Sequence, residues 1–390
     1  MYNRVVILAR IYDFEKKCFT LGGIQTYVKD LLMLLKQHNI QTTVVQILES
    51  YKNKDEIEID STVIIKLPAK RYLLKSPKQN AFDSVYKKYN DGKTIFIIGT
   101  DQMDIKSKAL NVVTIQHGIA FDVPGGMLEK PWRINRFFQR FCKLLKCIKN
   151  VNRFYNTPNV VCVDYNYYNW FRTLGTIYKN NNCKVILNHA TNYIERELLR
   201  NKISKRNDRI KILFARRFEE HRGALLFSNV VDKLVNSNYD IEVTFAGTGS
   251  LFEILKNKFS HNEKVKFSKY SSEESVKFHY DYDIAVIPTI FSEGSSLSLC
   301  EAMAAGCITV STHVGGMTNI VINEYNGFLC RPTEKDIFES IIKVINLTNK
   351  EREFIINNAY ETAVTSLSMK RWSKEWLSFL DEINGKISYK

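Results

Sequence analysis

The sequence has no apolar run approaching ~18 residues, so nothing in it reads as a membrane-spanning helix. Its first residues, "MYNRVVILAR", run straight into a strand-like stretch and lack the apolar core and cleavage site of a secretion signal. Its eight cysteines are scattered and include no C-x-x-C. Several lie inside strand-like apolar runs, as Cys162 does in "VVCVD". They read as reduced, buried thiols of a cytoplasmic protein, and not as a disulfide frame or a zinc site. No short repeat or low-complexity tract stands out. There is no G-x-G-x-x-G with a later acidic ribose hook, which argues against a nicotinamide-type Rossmann domain. No groove-reading or base-stacking module is present either, so no nucleic-acid partner is expected.

What is present is a chain of 390 residues, 45% of them hydrophobic, enough for two cores. Its formal net charge of +15 is unevenly placed. Residues 1–190 hold 29 Lys and Arg against 15 Asp and Glu, a surplus of 14; residues 191–390 hold 27 against 26. One half therefore faces something anionic: membrane lipid, a phosphorylated acceptor or nucleic acid.

β-branched runs alternate with longer amphipathic segments. In the first half these are "VVILA", "TTVVQIL", "TVIIKL", "TIFIIG", "NVVTIQH" and "VVCVD"; in the second, "IKILFA", "IEVTFAG", "VKFSKY", "DIAVIP" and "CITVST". Continuous apolar strands of this kind belong to buried parallel sheets. The polar, basic break "NKISKRNDR" (Asn201–Arg209) separates the two series. The expected organisation is an α/β chain of two doubly wound, Rossmann-like domains facing across a cleft, at residues 1–190 and 209–367. A linker at 191–208 joins them, and a final helix, about 368–390, returns to the first domain.

Ligands of open parallel sheets bind beyond the carboxyl ends of the strands. Five polar or glycine-rich clusters fall there. They are Gly22-Gly23 at the start of an amphipathic helix, His117-Gly118, "RRFEEHRG" (Arg216 to Gly223), Gly247 with Gly249, and "EGSS" from Glu293. Glycines before a helix admit a phosphate or sugar to the backbone, or merely make a tight turn. Arg217 and Arg222 flank a helix start and suit a diphosphate, unless Glu219 and Glu220 simply pair with them. His117 reads equally as a structural histidine and as a functional one.

Glu293 and Glu301 stand eight positions apart. If Ser295 or Ser296 caps a helix, Glu301 lies about one and a half turns inside it while Glu293 stays in the loop. Two carboxylates so placed can reach the separation of a glycosidase pair. A diphosphate cradle nearby argues instead for two hooks on a nucleotide sugar.

In these residues the chain resembles the family-4 retaining glycosyltransferases of GT-B fold. The stretch "EGSSLSLCEAMAAGCITVSTHVGGMTNIVINEYNGFLCRP" (Glu293–Pro332) is similar to that family's E-x7-E block, and "RRFEEHRG" to its diphosphate loop. Gly22-Gly23 and His117-Gly118 are similar to its N-terminal motifs, and "RWSKEWLSFL" to its final helix. The resemblance implies that Glu293 holds donor-sugar hydroxyls, Glu301 the nucleotide ribose, and Gly294, Ser295, Ser296 and Leu297 the sugar and distal phosphate. It implies that Arg217 and Arg222 neutralise the leaving diphosphate, with Gly22, Gly23 and Gly247 as further donor contacts and His117 beside the sugar. It also implies retention of anomeric configuration with neither metal nor cofactor. Three departures stand out: Ser295-Ser296 for Phe-Gly, Arg216 for glycine, and "NHAT" (Asn188–Thr191) for "NGVD". The serines are where sugar preference is expected to be written.

Finally, "RINRFFQRFCKLLKCIKNVNR" (Arg133–Arg153) carries a helical apolar stripe with seven Lys and Arg and no acid. It is either a helix packed on the sheet or one lying on an anionic membrane surface. The expectation is a cytoplasmic enzyme, peripheral at the inner face of the cell membrane. It would move a hexose or N-acetylhexosamine from a nucleotide diphosphate sugar to a polyprenyl-diphosphate-linked glycan in bacterial surface-polysaccharide synthesis. A GT-B sugar-nucleotide epimerase or phosphorylase is the alternative, and a basic nucleic-acid-binding protein the one ranked after it. Oligomeric state is not readable.

Overall fold

The structure is a computed structural model, and it describes residues 2–20, 22–48, 53–68, 76–119, 122, 136–174, 182–205 and 209–388. The chain divides into two units, residues 1–117 with 134–186 and 373–390, and residues 118–133 with 187–372.

The first unit begins with strand β1 (Arg4–Leu8), a small antiparallel hairpin β2 (Tyr12–Asp13) and β3 (Cys18–Phe19), and helix α1 (Gly23–Gln37). Strands β4 (Gln41–Leu48), β5 (Asp55–Ile59) and β6 (Thr62–Pro68), helix α2 (Pro77–Tyr89), and strands β7 (Thr94–Ile98) and β8 (Val112–Gln116) follow. Helix α3 (Arg136–Asn152), β9 (Asn159–Cys162), α4 (Tyr165–Leu174) and β10 (Asn182–Val185) complete the series. The sheet runs β10-β9-β8-β7-β1-β4-β6-β5, parallel except for β5 against β6. β7 and β8 are buried at every residue, as strands covered on both faces must be. From β1 the order proceeds one way through β4 and the other way through β7, so a crevice opens beyond the carboxyl ends of β1 and β7.

The second unit opens with helix α5 (Arg196–Ser204), then β11 (Ile210–Ala215), α6 (Ala224–Val235), β12 (Ile241–Ala246), α7 (Phe252–Lys258), β13 (Val265–Ser268) and α8 (Ser275–Tyr280). β14 (Ile284–Ile287), α9 (Leu297–Ala304), β15 (Ile308–Thr312), β16 (Phe328–Cys330), α10 (Glu334–Ile345) and α11 (Asn349–Ser366) follow. Its all-parallel sheet runs β13-β12-β11-β14-β15-β16, which puts the switch point between β11 and β14.

Every strand expected from the sequence is present. The segment expected as a linker is not one. Ile194 N–H donates to Ala304 O at 3.2 Å, and Tyr360 OH to Ile194 O at 2.6 Å. Leu199 is buried, and the Lys202 ammonium, buried as well, reaches Ala305 O at 2.9 Å. The polar run hides an amphipathic helix whose lysine stem lies along apolar surface. The long segment of the second unit accordingly starts at Leu187.

Helix α12 (Met369–Ser388) supplies its residues from Ser373 onward to the first unit. Trp376, Phe379, Leu380 and Ile383 are fully buried there, and Trp376 Nε1–H donates to Tyr27 OH at 2.8 Å. Truncation of a buried Trp costs about 3–5 kcal/mol. Trp376→Ala is therefore expected to destabilise the first unit by that amount in urea or thermal denaturation, and a loss under 1 kcal/mol, well below the usual range, would contradict this packing.

Candidate functional site

The switch point of the second unit gathers charge. β11 hands its ladder on to the loop after it: Arg216 N–H donates to Ala246 O at 3.0 Å and Phe218 N–H to Thr248 O at 2.9 Å. Gly247, at the end of β12, lies so close that any side chain there would overlap the Arg216 carbonyl oxygen. The loop then makes a 3-10 turn, Glu220–Arg222, closed by Gly223 at φ 77. A Cβ on Gly223 would strike the Pro288 carbonyl, so only glycine lets this turn press against the exit of β14. On that exit, Ser292 takes the left-handed conformation (φ 58) immediately before Glu293, a backbone strain that persists only where surrounding structure holds it.

These two loops bring Arg216, Arg222 and Thr289 onto Glu293. Arg216 Nη2 and Arg222 Nη1 both donate to Glu293 Oε2, and Thr289 Oγ1–H donates to the same oxygen at 3.0 Å. Arg216 Nη1 also donates to Thr289 Oγ1, which closes a ring of bonds. Side-chain exposure is 5% for Arg216, 8% for Glu293 and 20% for Arg222. Burial by itself would raise the Glu293 carboxyl, but the charges and hydrogen bonds of Arg222 and Arg216 outweigh it and hold the group at about 2. Glu293 is thus an anion at every physiological pH.

The other expected residues fall as follows. Arg217 is exposed. Glu219 and Arg217 act on each other through charge, while the Glu219 carboxylate accepts from Ser250 N–H at 3.2 Å and Ser250 Oγ–H at 2.7 Å. Glu301 is buried on α9, close enough to Tyr270 that its charge adds to burial in raising that phenol. Ser296 is the N-cap of α9, yet its buried hydroxyl makes no cap bond. Ser295 turns its side chain into the protein. It is fully buried, and its Oγ accepts the Asn188 N–H at 2.8 Å. Gly294 and Leu297 flank these serines, and the Glu293 carbonyl accepts from Gly316 N–H at 3.2 Å. Sequence reasoning missed Arg216 and Thr289 as site residues. Arg216 was visible only as an arginine in a glycine's place.

The first unit has its own cluster at the β1/β7 crevice. Gly22 caps α1, and among the described residues the space beside Gly23 is open. His117 directly follows β8, and its Nε2 lies 2.9 Å from Gly99 O. A carbonyl only accepts, so Nε2 carries the proton. Burial, opposed by this bond, lowers the imidazole to about 4, which leaves it neutral with a lone pair on Nδ1. Tyr27 sets its ring edge-on at 5.1 Å.

Against known proteins, residues 195–362 match the family model "Glycosyl transferases group 1". An uncharacterized glycosyltransferase of Methanocaldococcus jannaschii is 27% identical over 180 residues, 45% of this chain and 46% of that protein. The chain thus spans about half the length of that relative. Among solved structures, sucrose-phosphate synthase from Thermosynechococcus elongatus superposes with a TM-score of 0.71 at 14% identity, over 98% of this chain and 100% of the other. Anabaena HepE in complex with UDP and glucose does so with a TM-score of 0.68 at 12% identity, over 98% and 100%.

Glu293 also makes an acid-stability prediction. Its folded value of about 2 lies below the ordinary 4.5, so its contribution is complete above pH 4.5 and is lost as pH falls toward 2. The stability gap between wild type and Glu293→Gln, followed by circular dichroism, is expected to shrink across that window. A gap that stays constant would overturn the assignment. The two α/β units have the GT-B fold, and residues 195–362, somewhat under half of the chain, match the model of glycosyl transferases group 1.

Proposed function

We propose that this protein is a retaining glycosyltransferase. It moves a hexose or N-acetylhexosamine from a nucleotide diphosphate sugar to a polyprenyl-diphosphate-linked glycan, in bacterial surface-polysaccharide synthesis. The observation that carries the reading is the Arg216–Arg222–Glu293 cluster at the β11/β14 switch point, inside the domain that matches the family model. HepE, a protein of the same fold, binds UDP and glucose according to its structure. Arg222 and the exposed Arg217 neutralise the charge that builds on the departing diphosphate, with no metal or cofactor in that role. Glu293, its Oε2 saturated, turns Oε1 to the hydroxyls of the sugar. The backbone N–H groups from Gly294 to Leu297 hold the sugar and distal phosphate, with Gly247 as a further donor contact, and Glu301 holds the ribose. In the first unit, Gly22 and Gly23 leave backbone open to an anionic group, and His117, as a neutral imidazole, offers its lone pair to a hydroxyl. The oxygen of the leaving phosphate takes the acceptor's proton.

The acceptor half of the reading rests on α3. Arg133–Asn135, the start of the expected stretch, lie outside the described residues. The rest of α3 is helical. Cys147 and Val151 turn inward, while Phe138, Phe141, Leu144, Leu145 and Ile148 are 36–55% exposed. Arg140, Lys143, Lys146 and Lys149 share the helix with them, and Tyr165 and Trp170 of the neighbouring α4 are exposed too. Large apolar side chains among cations suit the boundary of an anionic bilayer. Among the described residues no helix is long and apolar enough to cross one. We assign the protein to the inner face of the cell membrane.

Glu293→Ala or Arg222→Ala is expected to abolish sugar transfer, by ~10²-fold or more, with far-UV circular dichroism unchanged; full turnover in either would sink the site. Product analysis separates transfer from epimerised nucleotide sugar or phosphorolysis. Changing Arg140, Lys143 and Lys146 together to Gln is expected to weaken binding to phosphatidylglycerol vesicles by on the order of a hundredfold, at ~1 kcal/mol per charge, and to spare donor hydrolysis. Undiminished vesicle binding would return α3 to a purely structural role.

A further inference from the structure

Arg216 stands where the resembling family has glycine, and its guanidinium is spent wholly inside the protein. It contacts Glu293 and Thr289, and Thr289 contacts Glu293 in turn. Arg222 reaches the same carboxylate oxygen from nearer the surface. One buried carboxylate therefore has an inner and an outer cation. The exposed Arg217 stands beside them, with Glu219 among the charges that act on it.

We propose that Arg216 is a positioning residue that keeps Glu293 neutralised while Arg222 turns to an incoming diphosphate. The inference rests on the donor reading above. A buried carboxylate stripped of its counter-ion is strongly destabilising. If Arg222 were the only partner of Glu293, each diphosphate that captured Arg222 would leave such a carboxylate behind. Binding would then be weakened, or Glu293 would take up a proton. The inner arginine removes that conflict: Thr289 and Arg216 hold Oε2, and Arg222 is free to exchange one anion for another. The charged and titratable groups around Glu293 are Arg216, Arg222, Arg217 and His221. His221 is lowered by burial and by Arg222 and Arg217, and Arg216 is not among its causes. Removing Arg216 therefore acts chiefly on Glu293.

The test is calorimetric titration of UDP, GDP, ADP and CDP into the wild-type protein. Whichever nucleotide binds is then titrated into Arg216→Gln, Glu293→Gln, the double variant and Arg216→Lys, each in two buffers of different ionisation enthalpy. The loss of a charge-assisted partner predicts a roughly tenfold to hundredfold weaker Kd for Arg216→Gln. Its binding is also expected to take up protons, which wild-type binding does not do beyond the nucleotide's own titration. In the double variant there is no carboxylate left to strand, so affinity is expected to return to within about threefold of wild type, a strongly non-additive cycle. Arg216→Lys keeps the charge and is expected to bind without proton uptake, which separates the charge role from a packing role even if the Gln variant folds poorly. Near-wild-type affinity without proton uptake in Arg216→Gln overturns the proposal, as do losses that simply add in the double variant or an Arg216→Lys as impaired as Arg216→Gln. If the wild-type protein binds none of the four nucleotides, the donor reading itself falls and takes this inference with it.

Discussion

A carboxylate 7% exposed keeps its charge only where cations stand against it, and the functional edge of the second unit is arranged around that requirement at Glu293. Two arginines must arrive from the loop after β11, and the carboxylate must arrive from the loop after β14. Parallel pairing of β11 with β14 brings those loops side by side. Two glycines close the remaining distance: Gly247 lets β12 press on Arg216, and Gly223 lets the Arg222 turn press on Pro288. Strain at Ser292 belongs to the same economy, since it aims the next residue inward. The sheet topology, the glycine positions and the strained residue are parts of a single electrostatic solution.

Strand recognition from the sequence succeeded where both faces of a strand are covered. "TIFII" and "VVTIQ" are apolar throughout because they are buried throughout. It failed at three of the four sheet margins. β5 reads "DEIEI" and pairs only with β6 at the edge; β16 has three residues; and β10 reads "NCKV". Edge strands are kept short or charged, and so lose the apolar signature by which strands are found. The boundary between the units was misplaced for a related reason. A polar run such as "NKISKR" looks like a tether until the burial of the Lys202 stem against Ala305 is seen, and side-chain length carries no periodic signal.

Of the candidate site, the sequence showed the charges but not their pairing. Glu293 and Arg222 were legible because motif and strand-end position agreed. Arg216 was legible only as an anomaly, because its partner is 77 positions away in the chain. The burial of the Ser295 hydroxyl could not be read either. Ser295 Oγ accepts the backbone N–H of Asn188, the residue that "NHAT" shares with "NGVD". A hydroxyl satisfied by backbone makes a packing contact, whereas Arg216 introduces a charge that packing alone does not need. His117 illustrates a third limit. Its strand-end position could be read, but its protonation state comes from Gly99 and burial, both of which are tertiary.

The docking of Trp376 onto Tyr27 also sets an order of events during synthesis. The first unit is assembled from residues 1–117, 134–186 and 373–390, so its core stays incomplete until the last of these segments has left the ribosome. The second unit is contiguous from 187 to 372 apart from residues 118–133, and can close earlier. The half that is translated first is therefore the half that folds last. Through that interval its eight-stranded sheet lacks the side chains of Trp376, Phe379 and Leu380, and the apolar surface they will cover stays open to chaperones or to misassociation.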